Sequence, residues 1–378
     1  MKLLIGADLV PTETNIALFQ KGDAVAMVGE ELLDILNGAD YRIFNLEIPL
    51  TDKPSPIGKC GPALIAPTAT VAGYQALGVD LLAVANNHIL DQDIQGLHST
   101  LKTLDTNGIA YVGGGDCLKQ AAQPYIVDRD GKKIGIYACA EHEFSIAGDE
   151  TPGANPFDPL DSPDHVAALK ARCDYVVVLY HAGKEHYRYP SPNLQKICRK
   201  LVEKGADLII CQHSHCIGCE EKYQNGTIVY GQGNFLFDHS ASEFWKTSLL
   251  VQINDDFSIS YIPLVKHGNG VRLAQDQDAT TIMDAFFERS REIAESGMVQ
   301  KKYAQFAGEM QTQYLLKVST INSGTIFFRA INRLTGFRWG RWLVNCKYSK
   351  RKLLAVRNCI ECEAHRELFL QGLKNERR

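Results

Sequence analysis

The 378-residue chain places side chains with metal-ligand chemistry at five separated points. These are Asp8, Glu47, Asn87 with His88, His181, and the pair His213-x-His215. Neutral imidazole is the commonest side-chain metal ligand. Residues i and i+2 of a strand share a face, so His213 and His215 can address one target. Carboxylate, amide and imidazole without thiolate suit Zn, Mn or Fe rather than Ca or an iron–sulfur cluster. Such a set can hold two divalent ions about 3.5–4 Å apart, the arrangement used for phosphoester hydrolysis. Any one of the five alone reads as a turn residue or a satisfied core polar group. Five in equivalent positions are better explained by one shared site.

The positions are equivalent because each follows a short apolar run. Leu3-Leu4-Ile5 precedes Asp8, and residues 41–46 lead into Glu47. Residues 79–85 (VDLLAVA) empty into Asn86-Asn87-His88, residues 175–180 (YVVVLY) into His181, and Leu208-Ile209-Ile210 into the histidine pair. Runs of this length read as buried strands. Amphipathic helices are expected between them over 30–36, 70–77, 96–107 and 166–171. Another starts at Ser191, a capping residue with Pro192 at the first helical position. Alternating strands and helices argue for α/β, and open α/β sheets bind ligands at the carboxyl ends of their strands. Hairpins are expected at 124–140, around Asp130-Gly131, and at 246–265. Residues 54–67 form a loop carrying Lys59, with Lys53 just before it. Residues 141–161, interrupted by glycines and prolines, are a candidate lid. The glycine run 113–115 lacks the Lys-Ser/Thr of a phosphate loop and reads as a turn.

From about residue 277 strands give way to helices. Residues 301–378 hold 16 Lys+Arg against 5 Asp+Glu, whereas the preceding 300 hold 24 against 39. The expected domains are therefore 1–270 and a basic helical extension, 271–378. Arg329, Arg333, Arg338 and Arg341 interleave with Phe337, Trp339 and Trp342, so the tail suits either an anionic membrane surface or docking on the acidic body. No recognised nucleic-acid module accompanies the charge, and a nucleic-acid partner is not expected. The 11 cysteines show no disulfide-framework spacing, and Cys216-x-x-Cys219 has no second pair to complete a zinc site. Neither a signal peptide nor a spanning segment is evident. The expected location is the cytoplasm, at most peripheral to the inner membrane.

The order Asp8, Glu47, Asn87-His88, His181, His213-x-His215 resembles the calcineurin-like metallophosphoesterase superfamily. The local wording is closer to its poly-γ-glutamate capsule biosynthesis (CapA-type) family. Asn45-Leu46-Glu47-Ile48-Pro49-Leu50-Thr51 is similar to that family's NLExPLT motif and Asn86-Asn87-His88-Ile89-Leu90-Asp91 to its NNHxxD motif. Tyr230-Gly231-Gln232-Gly233-Asn234-Phe235 is similar to its closing block. The resemblance spans about residues 1–265. It implies a four-layer α/β/β/α metallophosphatase-like sandwich with two divalent transition metals (Mn, Zn or Fe). Glu47 would bridge them, Asp8 and His215 would complete one, and Asn87, His181 and His213 the other. His88 would be the general acid or a stabiliser of the transition state, oriented by Asp91, and a water activated by the two cations the nucleophile. Asn86, Asn234 and Glu185 beside these motifs are candidate substrate contacts. Where the superfamily has Asp-x-His, Asp8 is followed two positions on by Val10, so one metal lacks an imidazole. The implied activity is hydrolysis of a phosphoester or related anionic bond in a small-molecule or polymer substrate of capsule, polysaccharide or polyanion metabolism. The alternative is a capsule- or polymer-handling protein that uses the same pocket for binding without catalysis.

Overall fold

The computed structural model describes residues 1–129, 131–237, 241–319 and 325–375. Asp130, expected in a hairpin turn, lies outside them. In chain order the strands are β1 (Leu3–Leu9), β2 (Tyr41–Asn45), β3 (Leu81–Ala83), β4 (Ala110–Val112), β5 (Gly114–Gly115), β6 (Tyr125–Arg129), β7 (Lys132–Ala140) and β8 (Gly153–Ala154). They continue as β9 (Tyr175–His181), β10 (Leu208–Gln212), β11 (Glu220–Tyr223), β12 (Gly226–Val229), β13 (Asn234–Leu236), β14 (Thr247–Ile253), β15 (Ile259–His267) and β16 (Gly270–Leu273). One sheet has the order β16-β15-β14-β1-β2-β3-β4, with β13 also paired to β1, and the second has the order β11-β12-β10-β9-β7-β6. The centre of each is parallel: β1 with β2, β2 with β3, β7 with β9 and β9 with β10.

The period-2 alternation of these strands dictates the layering. Leu3, Ile5, Ile43, Leu81 and Ala83 of the first sheet share one core with Ile134, Ile136, Val177, Leu179, Leu208 and Ile210 of the second. The two sheets therefore pack face to face. Their alternate residues point outward. Leu4, Phe44 and Leu82 meet Leu32, Leu36, Tyr74, Leu97 and Leu104 from helices on one side. Val176, Val178, Ile209 and Cys211 meet Val166, Leu169, Leu194, Cys198 and Leu201 from helices on the other. The result is the expected α/β/β/α sandwich. Strands buried on both faces lose any polar alternation, which is why they read in the sequence as continuous apolar runs.

The helix Pro192–Glu203 starts as its sequence dictates, with Ser191 Oγ accepting from the Leu194 amide and Pro192 in the first turn. Val79–Ala85 is strand only over Leu81–Ala83, because the chain turns into the polar loop two residues early. The compact unit runs to Gln300 and the second from Lys301 to Arg378, so the boundary expected at 270 falls too early. The helix Asp276–Ala294 belongs with the sandwich: Phe286 is fully buried in the inter-sheet core, and Arg289 donates to the carbonyl of Gly218 at 2.7 Å.

Pairing between β1 and β2 is irregular between Ile5 and Asp8. Gly6 lies there because a Cβ would sit 2.1 Å from Phe44 Cε1. Phe44 is itself fully buried, with its ring 4.7 Å from that of Phe235. Gly6→Ala is expected to destabilise the protein by about 1–3 kcal/mol, since overpacking forces neighbouring rings off their rotamers; urea denaturation measures it.

Candidate metal centre

The carboxyl ends of β1, β2, β3, β9 and β10 deliver all five sequence positions to one place. Asp8 pairs in register with Asn45 of β2 and Asn234 of β13, and His181 with Gln212 of β10. Glu47 and Asn87 follow β2 and β3, and the histidine pair follows β10. Two groups of ligand atoms result, each lying within 4.8 Å of one another: Glu47, His181 and His213, and Asp8, Glu47 and His215. Glu47 belongs to both. His213 falls in the first group and His215 in the second.

In the first group, His181 Nε2 stands 3.0 Å from Asn87 Oδ1, 3.1 Å from His213 Nδ1 and 3.3 Å from Glu47 Oε1. All four atoms can carry lone pairs, and one proton bridges two of them at most. A cation at their centre satisfies them all. In the second, Asp8 Oδ1 accepts from Asn45 Nδ2 at 2.7 Å, while Oδ2 lies 3.3 Å from His215 Nδ1 without a hydrogen bond. Glu47 is fully buried and neither of its carboxylate oxygens is hydrogen-bonded. Leaving such atoms unpaired costs about 1–3 kcal/mol each, so the donor set fits divalent metal. Backbone strain concentrates here as well. His213 and His215 have φ of 82° and 52°, a left-handed conformation that non-glycine residues hold at a cost of order 1–3 kcal/mol each, typically at functional sites.

Burial, reinforced by the charge of Asp8, raises the Glu47 carboxyl to about 8. Burial lowers His181 to about 3 and takes His213 well below its ordinary value, keeping both imidazoles neutral for ligation. For His215 burial opposes protonation, but Glu47 and Asp8 outweigh it and raise the ring to about 9. Burial likewise opposes ionisation of Asp8, and the charge of the neighbouring His215 overcomes it, leaving the carboxyl below its ordinary range.

Beside the two groups, His88 Nε2 lies 4.0 Å from Glu47 Oε1. Its Nδ1 is 2.5 Å from Asp91 Oδ2, which fixes Nε2 as the atom facing the ligands. Asp91 is fully buried and also receives the Leu64 amide at 2.6 Å. Lys59, whose side chain is 3% exposed, donates to Asp91 Oδ1 at 2.5 Å and reaches the Asn87 carbonyl at 3.3 Å. Nothing in the sequence distinguishes Lys59 from a solvated surface lysine. Asn45 and Ser145 were also missed. Ser145 Oγ donates to the Asn87 carbonyl at 2.8 Å and accepts from the Leu90 amide.

Some expectations change. Ser145 is fully buried and ties its part of the expected lid, residues 141–161, to the Asn87 loop. Asn86 does not reach a substrate: it is fully buried, donates to the Leu46 carbonyl at 2.7 Å and accepts from the His88 amide. Asn234 Oδ1 lies 2.9 Å from His215 Nδ1 and orients that ring. Glu185, with a side chain 48% exposed beside Lys184, is the one of the three open to solvent. Val10, at the position of the missing imidazole, is fully buried in the helix-side core. Cys216 and Cys219 are buried free thiols, Cys216 raised by burial to about 11, and neither joins a metal-type group among the described residues.

An α/β/β/α sandwich that gathers carboxylate, amide and imidazole groups at strand ends of both sheets has a metallophosphatase-like architecture. Residues 3–239 match the model of the family described as bacterial capsule synthesis protein PGA_cap, and the chain belongs to that family. It is 30% identical over 195 residues to the capsule biosynthesis protein CapA of Bacillus anthracis, covering 50% of this chain and 47% of that protein. It is 30% identical over 175 residues to the PGA biosynthesis protein CapA of Bacillus subtilis (strain 168), covering 46% of each. The chain thus spans about half the length of these curated relatives. Among solved structures it is similar to a novel phosphatase from Mycoplasma pneumoniae (13% identity, TM-score 0.43, covering 70% of this chain and 93% of that one). It is also similar to a 5'-nucleotidase precursor from Thermus thermophilus (15% identity, TM-score 0.40, covering 78% and 59%).

Proposed function

We propose that the chain is a metal-dependent hydrolase of the metallophosphoesterase type, acting on a phosphoester or related anionic bond in capsule or polyanion metabolism. The observation that carries this reading is the pair of ligand groups sharing Glu47, whose buried carboxylate oxygens have no hydrogen-bond partner. Asp8, Glu47 and His215 would hold one divalent ion, and Glu47, Asn87, His181 and His213 another. Bound there, the metals supply Lewis-acid polarisation of the scissile group and a water activated at neutral pH. The chain's own residues supply the rest. His88 Nε2 gives its proton to the leaving oxygen. Asp91 keeps the Nδ1 proton in place, and Lys59 balances the buried Asp91 charge. Burial of Val10 where the superfamily has an imidazole favours a second reading, binding of an anionic polymer without turnover. Metal analysis of purified protein, with a phosphodiester assay in Mn or Zn, separates the two. Absence of transition metal together with absence of turnover sinks the hydrolase.

Protons should accompany metal uptake. At pH 7 Glu47 (about 8) and His215 (about 9) hold protons that ligation must displace. Affinity is therefore expected to rise with pH up to about 9. Calorimetry in buffers of different ionisation enthalpy is expected to show net proton release; a buffer-independent heat would contradict it.

A further inference from the structure

None of the ligand-type residues named above comes from the second unit, Lys301–Arg378, which has a separate chemistry. Its small apolar cluster is Leu316, Phe328 and Val344, with Trp339 and Leu343 packed against it. In the helix Ile326–Leu334, Phe328 is the ring that turns into this cluster. Phe327 and Leu334 are left 74% and 86% exposed. Phe337 and Trp342 follow at 62% and 58%. Arg329, Arg333, Arg338 and Arg341 are exposed among them. Lys317, Arg329, Arg333 and Arg341, against the single carboxylate Glu309, border a groove of about 620 Å³. Large apolar side chains left exposed together mark an interaction surface.

We infer that this surface docks on an anionic lipid bilayer, with Phe327, Leu334, Phe337 and Trp342 entering the headgroup boundary and the arginines meeting lipid phosphates. Two observations select this occupant. The unit carries 16 basic against 5 acidic residues, so a second copy would oppose like charges. A phosphate-rich nucleic acid would match the arginines but leave the aliphatic Leu334 and the phenylalanines in water. A bilayer surface satisfies both sets at once, which is the pattern of interfacial amphipathic helices. Among the described residues no helix is long and apolar enough to cross a membrane, so the helices would lie on the surface. The inference stands independently of the proposed hydrolase activity.

Co-sedimentation of the full chain with phosphatidylcholine vesicles, with and without phosphatidylglycerol, tests it. Binding is expected only with phosphatidylglycerol, with a blue shift of tryptophan emission as Trp342 leaves water. It should weaken sharply in about 1 M salt, where screening shortens to about 3 Å. Arg333→Ser with Arg341→Ser should weaken partitioning about fivefold per charge. Phe327→Ser with Trp342→Ser should remove it without changing the circular dichroism, since both side chains are already exposed. Equal binding to neutral vesicles overturns the inference. So does no binding at low salt, as for a tail held against the acidic body. A dimer broken by Phe327→Ser with Trp342→Ser, in a chain that ignores vesicles, would assign the surface to self-association instead.

Discussion

Glu47→Gln is expected to abolish tight divalent-metal uptake and, with it, phosphodiester hydrolysis. Glu47 is the side chain common to both ligand groups. Glutamine keeps its volume and removes its charge. Losing an outer partner of a metal ligand costs about 10–100-fold in affinity, and loss of a shared ligand should exceed about 100-fold. Metal titration followed by melting temperature reads this directly. The metal-free protein should show the opposite sign. Burial raises the Glu47 carboxyl from 4.5 to about 8, so between these values the folded state holds a proton that the unfolded state has lost. That contribution is full below about pH 4.5 and is lost as pH rises through about 8. Glutamine has no such proton. Chelator-treated Glu47→Gln should therefore gain on the wild type as pH rises from about 5 to 8, then level off. A variant that takes up metal like the wild type would remove Glu47 from the bridging position.

His88→Asn is expected to lower kcat by about 10²–10⁴-fold, the usual contribution of a positioned general acid. Metal content should not change, because His88 Nε2 stands 4.0 Å from Glu47 and belongs to neither ligand group. Lys59→Met and Asp91→Asn act through His88 and should cost less, about 10–100-fold. Lys59→Met leaves a buried Asp91 charge without its cation, so a lowered melting temperature should accompany its rate loss. Retained turnover in His88→Asn would reassign the proton donor. Turnover absent from the wild type with metal fully bound would favour the polymer-binding reading.

Asp8, Glu47, Asn87, His181 and the His213–His215 pair were legible in the sequence because each follows an apolar run. A buried strand must end where polar residues begin, and parallel strands bring their ends to one edge. The two-sided burial of β9 and β10 was legible for the same reason. Lys59, Asn45 and Ser145 were not. Their roles arise from contacts between segments far apart in the chain, such as Lys59 with Asp91 and Ser145 with Asn87, and no local periodicity encodes those. The 270 boundary failed because the helix Asp276–Ala294 carries an ordinary amphipathic pattern, and whether its apolar stripe meets the sandwich or the tail is a tertiary choice. Asn86 failed similarly: its amide chemistry suits a substrate contact, but complete burial commits it to the Leu46 and His88 backbones. The sequence by itself determined the α/β class, the order of the strands' polar ends and the candidate ligand types, because side-chain period and chemistry are local properties. Only the tertiary structure decided the Lys59–Asp91–His88 relay of contacts and the commitment of Asn86 to backbone partners, because those depend on how loops distant in the chain pack against one another.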